Sequence, residues 1–322
     1  MGSSKSVVIA ALIANGAIAV LKFVGFLLTG SAAMLSETYH SISDTGNQVF
    51  LLIGIRYGSK EASRRHPFGY GKAQFFYSFL VSVLLFGIAG WESARQGYSK
   101  LTGGGGHGGH TTDTIHFLGF QYTPSVPFDP IFVNYGVLLG AIVFESYALK
   151  KALAEMRRQM ERHDWDTFRE AFRSTSDVTT LTALTEDTIA MGGAGLALLG
   201  IYLTRETGNE VFDAAAALLI GLMLMGFAIA LAWENKRLLL GESLPPADER
   251  ALRAVVEERE EVDRIVDFRT VYFGPERLLV TADVEFAPGL ETAVIDETIS
   301  GIEQAIMDAD PAVKKVYIEP EV

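Results

Sequence analysis

Met34-Leu35-Ser36-Glu37-Thr38-Tyr39-His40-Ser41-Ile42-Ser43-Asp44 puts ionisable groups inside an apolar run. His40 and Asp44 are four residues apart, so on a helix they stack on one face. Glu37 precedes His40 by three residues, on the same side and nearer the outer end. The run around them, about Met34–Ile55, is long enough to cross a bilayer, which takes roughly 20 residues of helix.

Five more such runs fill the rest of residues 1–240: about Ser6–Thr29, Phe75–Gly97, Ile131–Leu149, Val178–Leu203 and Val211–Trp233. The fifth span in chain order carries Glu186 and Asp187 within Thr182-Ala183-Leu184-Thr185-Glu186-Asp187-Thr188. Uncompensated carboxylates at mid-membrane cost on the order of several kcal/mol each. With no Lys or Arg expected nearby, four acidic side chains and one imidazole would repel each other unless a cation or protons were bound.

The chain has no cysteine, which excludes disulfides, Cys-ligated zinc, iron–sulfur clusters and a thiol nucleophile. Any metal must use His, carboxylates, Asn or water. His with carboxylates suits Zn²⁺, and also Fe²⁺, Co²⁺, Ni²⁺ or Mn²⁺. Only neutral imidazole and ionised carboxylate bind metal, so metal and proton compete for such a site. The bland reading is an interhelical polar contact. It stands level with a ligand role for Glu37 and Glu186, and for Asn15 in the first span it is the stronger of the two. The depth of His40, Asp44 and Asp187 favours metal.

The formal net charge of −12 argues against a nucleic-acid partner. It is unevenly placed. Residues 244–322 hold 8 Lys/Arg and 19 Asp/Glu, a net of −11, while the other 243 residues hold 19 and 20, a net of −1. Domains are therefore expected at 1–240, in the membrane, and 241–322, in solution. The second reads as αββαβ: a helix from Pro245/Pro246 to about Glu260, strands Val262–Phe273 and Leu278–Ala287, a helix Glu291–Asp308 and a strand Val313–Ile318. Val280, Ala282, Val284 and Phe286 alternate with Thr281, Asp283 and Glu285, the period of a half-buried strand.

Arg56, Lys60, Arg64, Arg65 and Lys72 follow the second span, and seven more Lys/Arg from Lys150 to Arg173 surround the fourth-to-fifth connection. The positive-inside rule puts both termini and the acidic domain in the cytoplasm. The connection Tyr98–Pro130 then lies outside. Its Gly-rich stretch with His107, His110, Asp113 and His116 reads as a flexible linker with incidental histidines, the alternative being a loose metal-collecting loop. With no transit peptide ahead of the first span, a bacterial inner membrane is expected.

These residues resemble the cation diffusion facilitator family of proton-coupled zinc transporters. Thr29-Gly30-Ser31-Ala32-Ala33-Met34-Leu35-Ser36-Glu37 with His40 and Asp44 resembles the family's first two helices. His66-Pro67-Phe68-Gly69-Tyr70-Gly71-Lys72-Ala73 resembles its loop after helix two. Asp213-Ala214-Ala215-Ala216-Ala217-Leu218-Leu219-Ile220-Gly221 resembles helix six, and Leu239-Leu240-Gly241-Glu242 its passage into the cytoplasmic domain. Ser36-Glu37, Asn47-Gln48 and Leu184–Asp187 most resemble the branch around the ninth-type zinc transporter.

The resemblance implies an all-α six-helix transmembrane domain, then a small cytoplasmic α+β domain of ferredoxin or metallochaperone type. It implies a homodimer with no resident cofactor and no enzymatic reaction. Its transport site maps to His40, Asp44 and Asp187, while the fourth family ligand falls on Ala183, which cannot coordinate. Glu186, Asn15 or water would complete the shell, with Glu37 a further possible ligand. A second family site leaves only His66 here, with Tyr70 where some members have His. Asp283, Glu285 and Glu319 lie near where relatives bind cytoplasmic zinc, although a solvated acidic surface is the simpler reading. The expected function is divalent-metal/proton antiport, with Zn²⁺ the favoured cargo. Mn²⁺, Fe²⁺ or Co²⁺ transport, a membrane metal sensor and a passive channel are the rivals.

Overall fold

The computed structural model describes residues 2–102, 115–117, 120–122, 129–163, 166–168, 171 and 178–321. Its helices are α1 (Gly2–Thr29), α2 (Ala32–Gly58), α3 (Ala73–Val81), α4 (Gly87–Leu101), α5 (Ile131–His163), α6 (Val178–Thr207) and α7 (Val211–Leu240). A π-helical turn, Ser82–Phe86, joins α3 to α4, so six long helical spans result. Among the described residues five of the six spans are apolar enough to cross a membrane. The exception is α2, whose length suffices but whose Glu37, His40, Asp44 and hydroxyl residues reduce its apolarity.

Two spans run further than expected. The Ala-, Glu-, Met- and Arg-rich segment after Leu149 extends α5 to His163, because these residues favour helix whether or not lipid surrounds them. Likewise α7 continues to Leu240. The Tyr98–Pro130 connection contains a short antiparallel pair, β1 (Ile115–Phe117) with β2 (Phe120–Tyr122). His107, His110 and Asp113 lie outside the described residues, as does the side chain of His116.

The chain forms two compact units, residues 1–52 with 78–232, and residues 53–77 with 233–322. In the first, Phe26, Met34, Leu35, Leu138, Ala194, Ile220 and Leu224 are core residues. Small residues bring α4 and α7 together backbone to backbone. A Cβ on Gly97 would meet Leu218 N at 2.5 Å, and one on Gly90 would meet Met225 N at 2.8 Å. Without lipid-excluding forces between helices, such close van der Waals packing is what holds membrane helices together. Ser93 adds polar ties, donating to Ser36 Oγ at 2.6 Å.

In the second unit, α8 (Pro246–Glu257), β3 (Val262–Gly274), β4 (Arg277–Phe286), α9 (Thr292–Ala309) and β5 (Val313–Glu321) follow in the expected αββαβ order. The sheet order is β3-β4-β5, with β3 antiparallel and β5 parallel to β4. Along β4 every second residue from Leu278 to Phe286 is buried. Leu252 and Val256 of α8 and Ile302 and Ile306 of α9 join that face in one core, so both helices cover the same side of the sheet. The loop after α2 also packs here. A Cβ on Gly71 would lie 2.6 Å from Phe273 O, and Phe68 meets the Phe273 ring at 6.1 Å.

Candidate functional site

The position of α2 is set at its N-terminal end. Gly30 ends α1 in the left-handed conformation (φ 67°), its N–H donating to Phe26 O at 2.7 Å. Ser31 then caps α2, its Oγ accepting from Met34 N at 3.1 Å. Asp213 of α7 accepts from Ser31 Oγ and Ala32 N, both at 2.6 Å, and from Ala33 N at 3.3 Å.

Below this cap, one face of α2 carries the expected pair. His40 and Asp44 are both buried, with His40 Nε2 3.5 Å from Asp44 Oδ2. From α6, Glu186 lies within electrostatic reach of Asp44. Asp187 is half-buried on the adjoining face, within electrostatic reach of Glu186 and of Glu145 on α5. Of the two α6 acids, Glu186 is the one whose charge acts on Asp44. Asn15 is half-buried on α1. Among the described residues no three His, Asp or Glu side chains come close enough to hold one ion. His40, Asp44, Glu186, Asp187 and Glu145 are thus neighbours rather than a closed shell.

One expectation is overturned. A basic residue does stand beside these acids: Lys22 of α1, 1% exposed, donates to Glu37 Oε2 at 2.7 Å. Glu37 is fully buried as half of that ion pair and occupies a notch at Gly193 of α6, where a Cβ would collide with Oε1. Two functional candidates had thus escaped notice, Lys22 and Glu145. Each is the lone charged residue of its apolar run, and that alone could have marked them.

The other candidates stand apart. His66 is exposed, its ring 4.2 Å from that of Tyr70, and its backbone pairs with Ser63 in a tight turn. In the second unit Asp283 lies opposite Asp267 on β3 and Glu319 on β5, while Glu285 is paired with Arg264 at 2.6 Å. These groups do not converge on a common point either.

The model of the cation efflux transmembrane domain matches residues 8–240. The chain belongs to the cation efflux family. It is an integral membrane protein of a transporter family. Cation efflux relatives include the mouse (Mus musculus) protein named proton-coupled zinc antiporter SLC30A9, mitochondrial. It is 29% identical over 280 residues, 87% of this chain and 46% of the mouse protein. Metal tolerance protein C4 of Arabidopsis thaliana is 24% identical over 284 residues, 88% of this chain and 57% of that protein. Cation-efflux pump FieF of Serratia proteamaculans is 24% identical over 312 residues, 95% of this chain and 89% of the pump. The chain spans about half the length of the first two.

Proposed function

We propose that this chain is a homodimeric divalent-metal/proton antiporter whose favoured cargo is Zn²⁺, carried out of the cytoplasm by alternating access. The observation that carries this reading is the buried His40–Asp44 pair on α2 beside Glu186 of α6. An imidazole and carboxylates inside the membrane form a donor set for a divalent transition metal. Family membership and the name of the mouse relative support the same reading.

His40, Asp44 and Asp187 are assigned as metal ligands, with Glu186 as the fourth and Asn15 as a secondary candidate. Loading with the ion draws α2 and α6 together. Protons arriving from outside displace the ion and return on the same side chains. Asp44 and Asp187 supply negative charge, and His40 supplies a ring nitrogen. Both termini are assigned to the cytoplasm and the protein to a bacterial inner membrane.

The test is flux into liposomes containing the purified protein, with Zn²⁺, Mn²⁺, Fe²⁺ and Co²⁺ offered separately. Zinc uptake exceeding that of the others is expected. Preference for another ion would change the cargo, and binding without flux would mark a sensor. Ala183→His, placing imidazole at the family's fourth ligand position, is expected to narrow selectivity toward zinc, read from the same panel.

A further inference from the structure

A buried ammonium inside a cation carrier needs an explanation. Lys22 and Glu37 are 1% and 0% exposed at the side chain, and their 2.7 Å contact joins α1 to α2. Stability alone does not explain the pair, because exchanging a buried ion pair for apolar residues is often neutral or stabilising. Two features tie it instead to the cargo site. Glu37 precedes His40 by three residues on the same helix, and the field of Lys22 acts on His40, Asp44 and Glu145. Oε1 of Glu37, held in the Gly193 notch, has no hydrogen-bond partner among the described residues, which leaves a carboxylate oxygen spare one turn from His40.

We infer that Lys22 is a resident counter-cation of the transport site: it withholds Glu37 from the cargo and sets how tightly a divalent ion is held. This rests on the metal-transport reading above. An ammonium has three donors and no lone pair, so it cannot ligate a metal and can only repel one. Asp44, Glu145, Glu186 and Asp187 pull the other way. A carrier that must release its ion gains nothing from a fifth free carboxylate, and Lys22 removes that charge. Lys22 is thus a positioning residue acting through Glu37 and through its own field.

The test compares zinc uptake by wild type, Lys22→Met, Glu37→Gln and the double variant in liposomes, with zinc Kd measured on the same proteins by calorimetry. Lys22→Met frees Glu37 and is expected to lower KM and Kd about tenfold, ~1.4 kcal/mol, with kcat falling as release slows. Glu37→Gln leaves the ammonium unpaired and is expected to raise both. The double variant, neutral again, is expected near wild type. A purely structural ion pair would lower the amount of active protein in both single variants without opposite shifts. Same-direction or absent shifts would therefore overturn the inference. If Lys22→Met does not fold, Lys22→Gln, which keeps a polar contact to Glu37, carries the same expectation. Should wild type move no metal, the transport reading falls, and the Kd values still decide the role of Lys22.

Discussion

Asp213 accepts the backbone N–H of Ala32 at 2.6 Å, so a carboxylate on α7 holds the first turn of α2. The same side chain accepts a hydrogen bond from the Ser31 hydroxyl, and Lys100 approaches it at 4.0 Å while donating to Gly30 O at 3.1 Å. Three helices thus fix the N-terminal end of the one that carries His40 and Asp44. Asp213→Ala removes charge-assisted bonds to buried donors and is expected to cost about 2 kcal/mol. Thermal unfolding in detergent measures this, and an unchanged midpoint would show that Ser31 suffices as the cap.

Glu145 stands on α5, outside the two helices whose side chains are proposed as ligands, yet its charge reaches Asp187, Glu186 and Asp44. Removing one negative charge from this group weakens attraction for a divalent ion while leaving the assigned ligands in place. Glu145→Gln is expected to raise the zinc KM several-fold with kcat little changed, measured as uptake against zinc concentration. An unaltered KM would place Glu145 outside the cargo's field.

Gly71 lies where a side chain has no room: a Cβ there would sit 2.6 Å from Phe273 O and 2.8 Å from Gly274 Cα. Its neighbour Lys72 donates to Leu239 O at 3.3 Å, and Arg277 stacks on the Phe273 ring at 5.0 Å. Gly71→Ala must push backbone from backbone, at a cost of about 1–3 kcal/mol. Faster proteolytic cleavage within residues 59–72 of the full chain is the expected readout. Wild-type protection would show that the loop can shift without loosening.

Much of this architecture was legible because single residues carry single physical demands. The alternation from Leu278 to Phe286 requires one wet and one dry face, and β4 has both. β3 was less readable because irregularities near Val262, Ile265 and Tyr272 interrupt its period. The His40–Asp44 pair was visible from helical spacing alone. Its partners were harder to read. Whether Glu186 or Asp187 faces α2 depends on the rotation of α6, which nothing in Thr182–Thr188 specifies. Lys22 was missed because its meaning is a contact across helices: alone in α1 it is an interruption, and beside Glu37 it is half of a pair. The π turn at Ser82–Phe86 left no periodic trace in an evenly apolar run.

The most direct test of the central claim is proton counterflow, followed with a pH dye inside liposomes as zinc is added outside. Zinc entry is expected to drive protons out of the lumen, and Asp44→Ala to abolish both flows. Zinc uptake with no luminal pH change, or normal transport by Asp44→Ala, would contradict it.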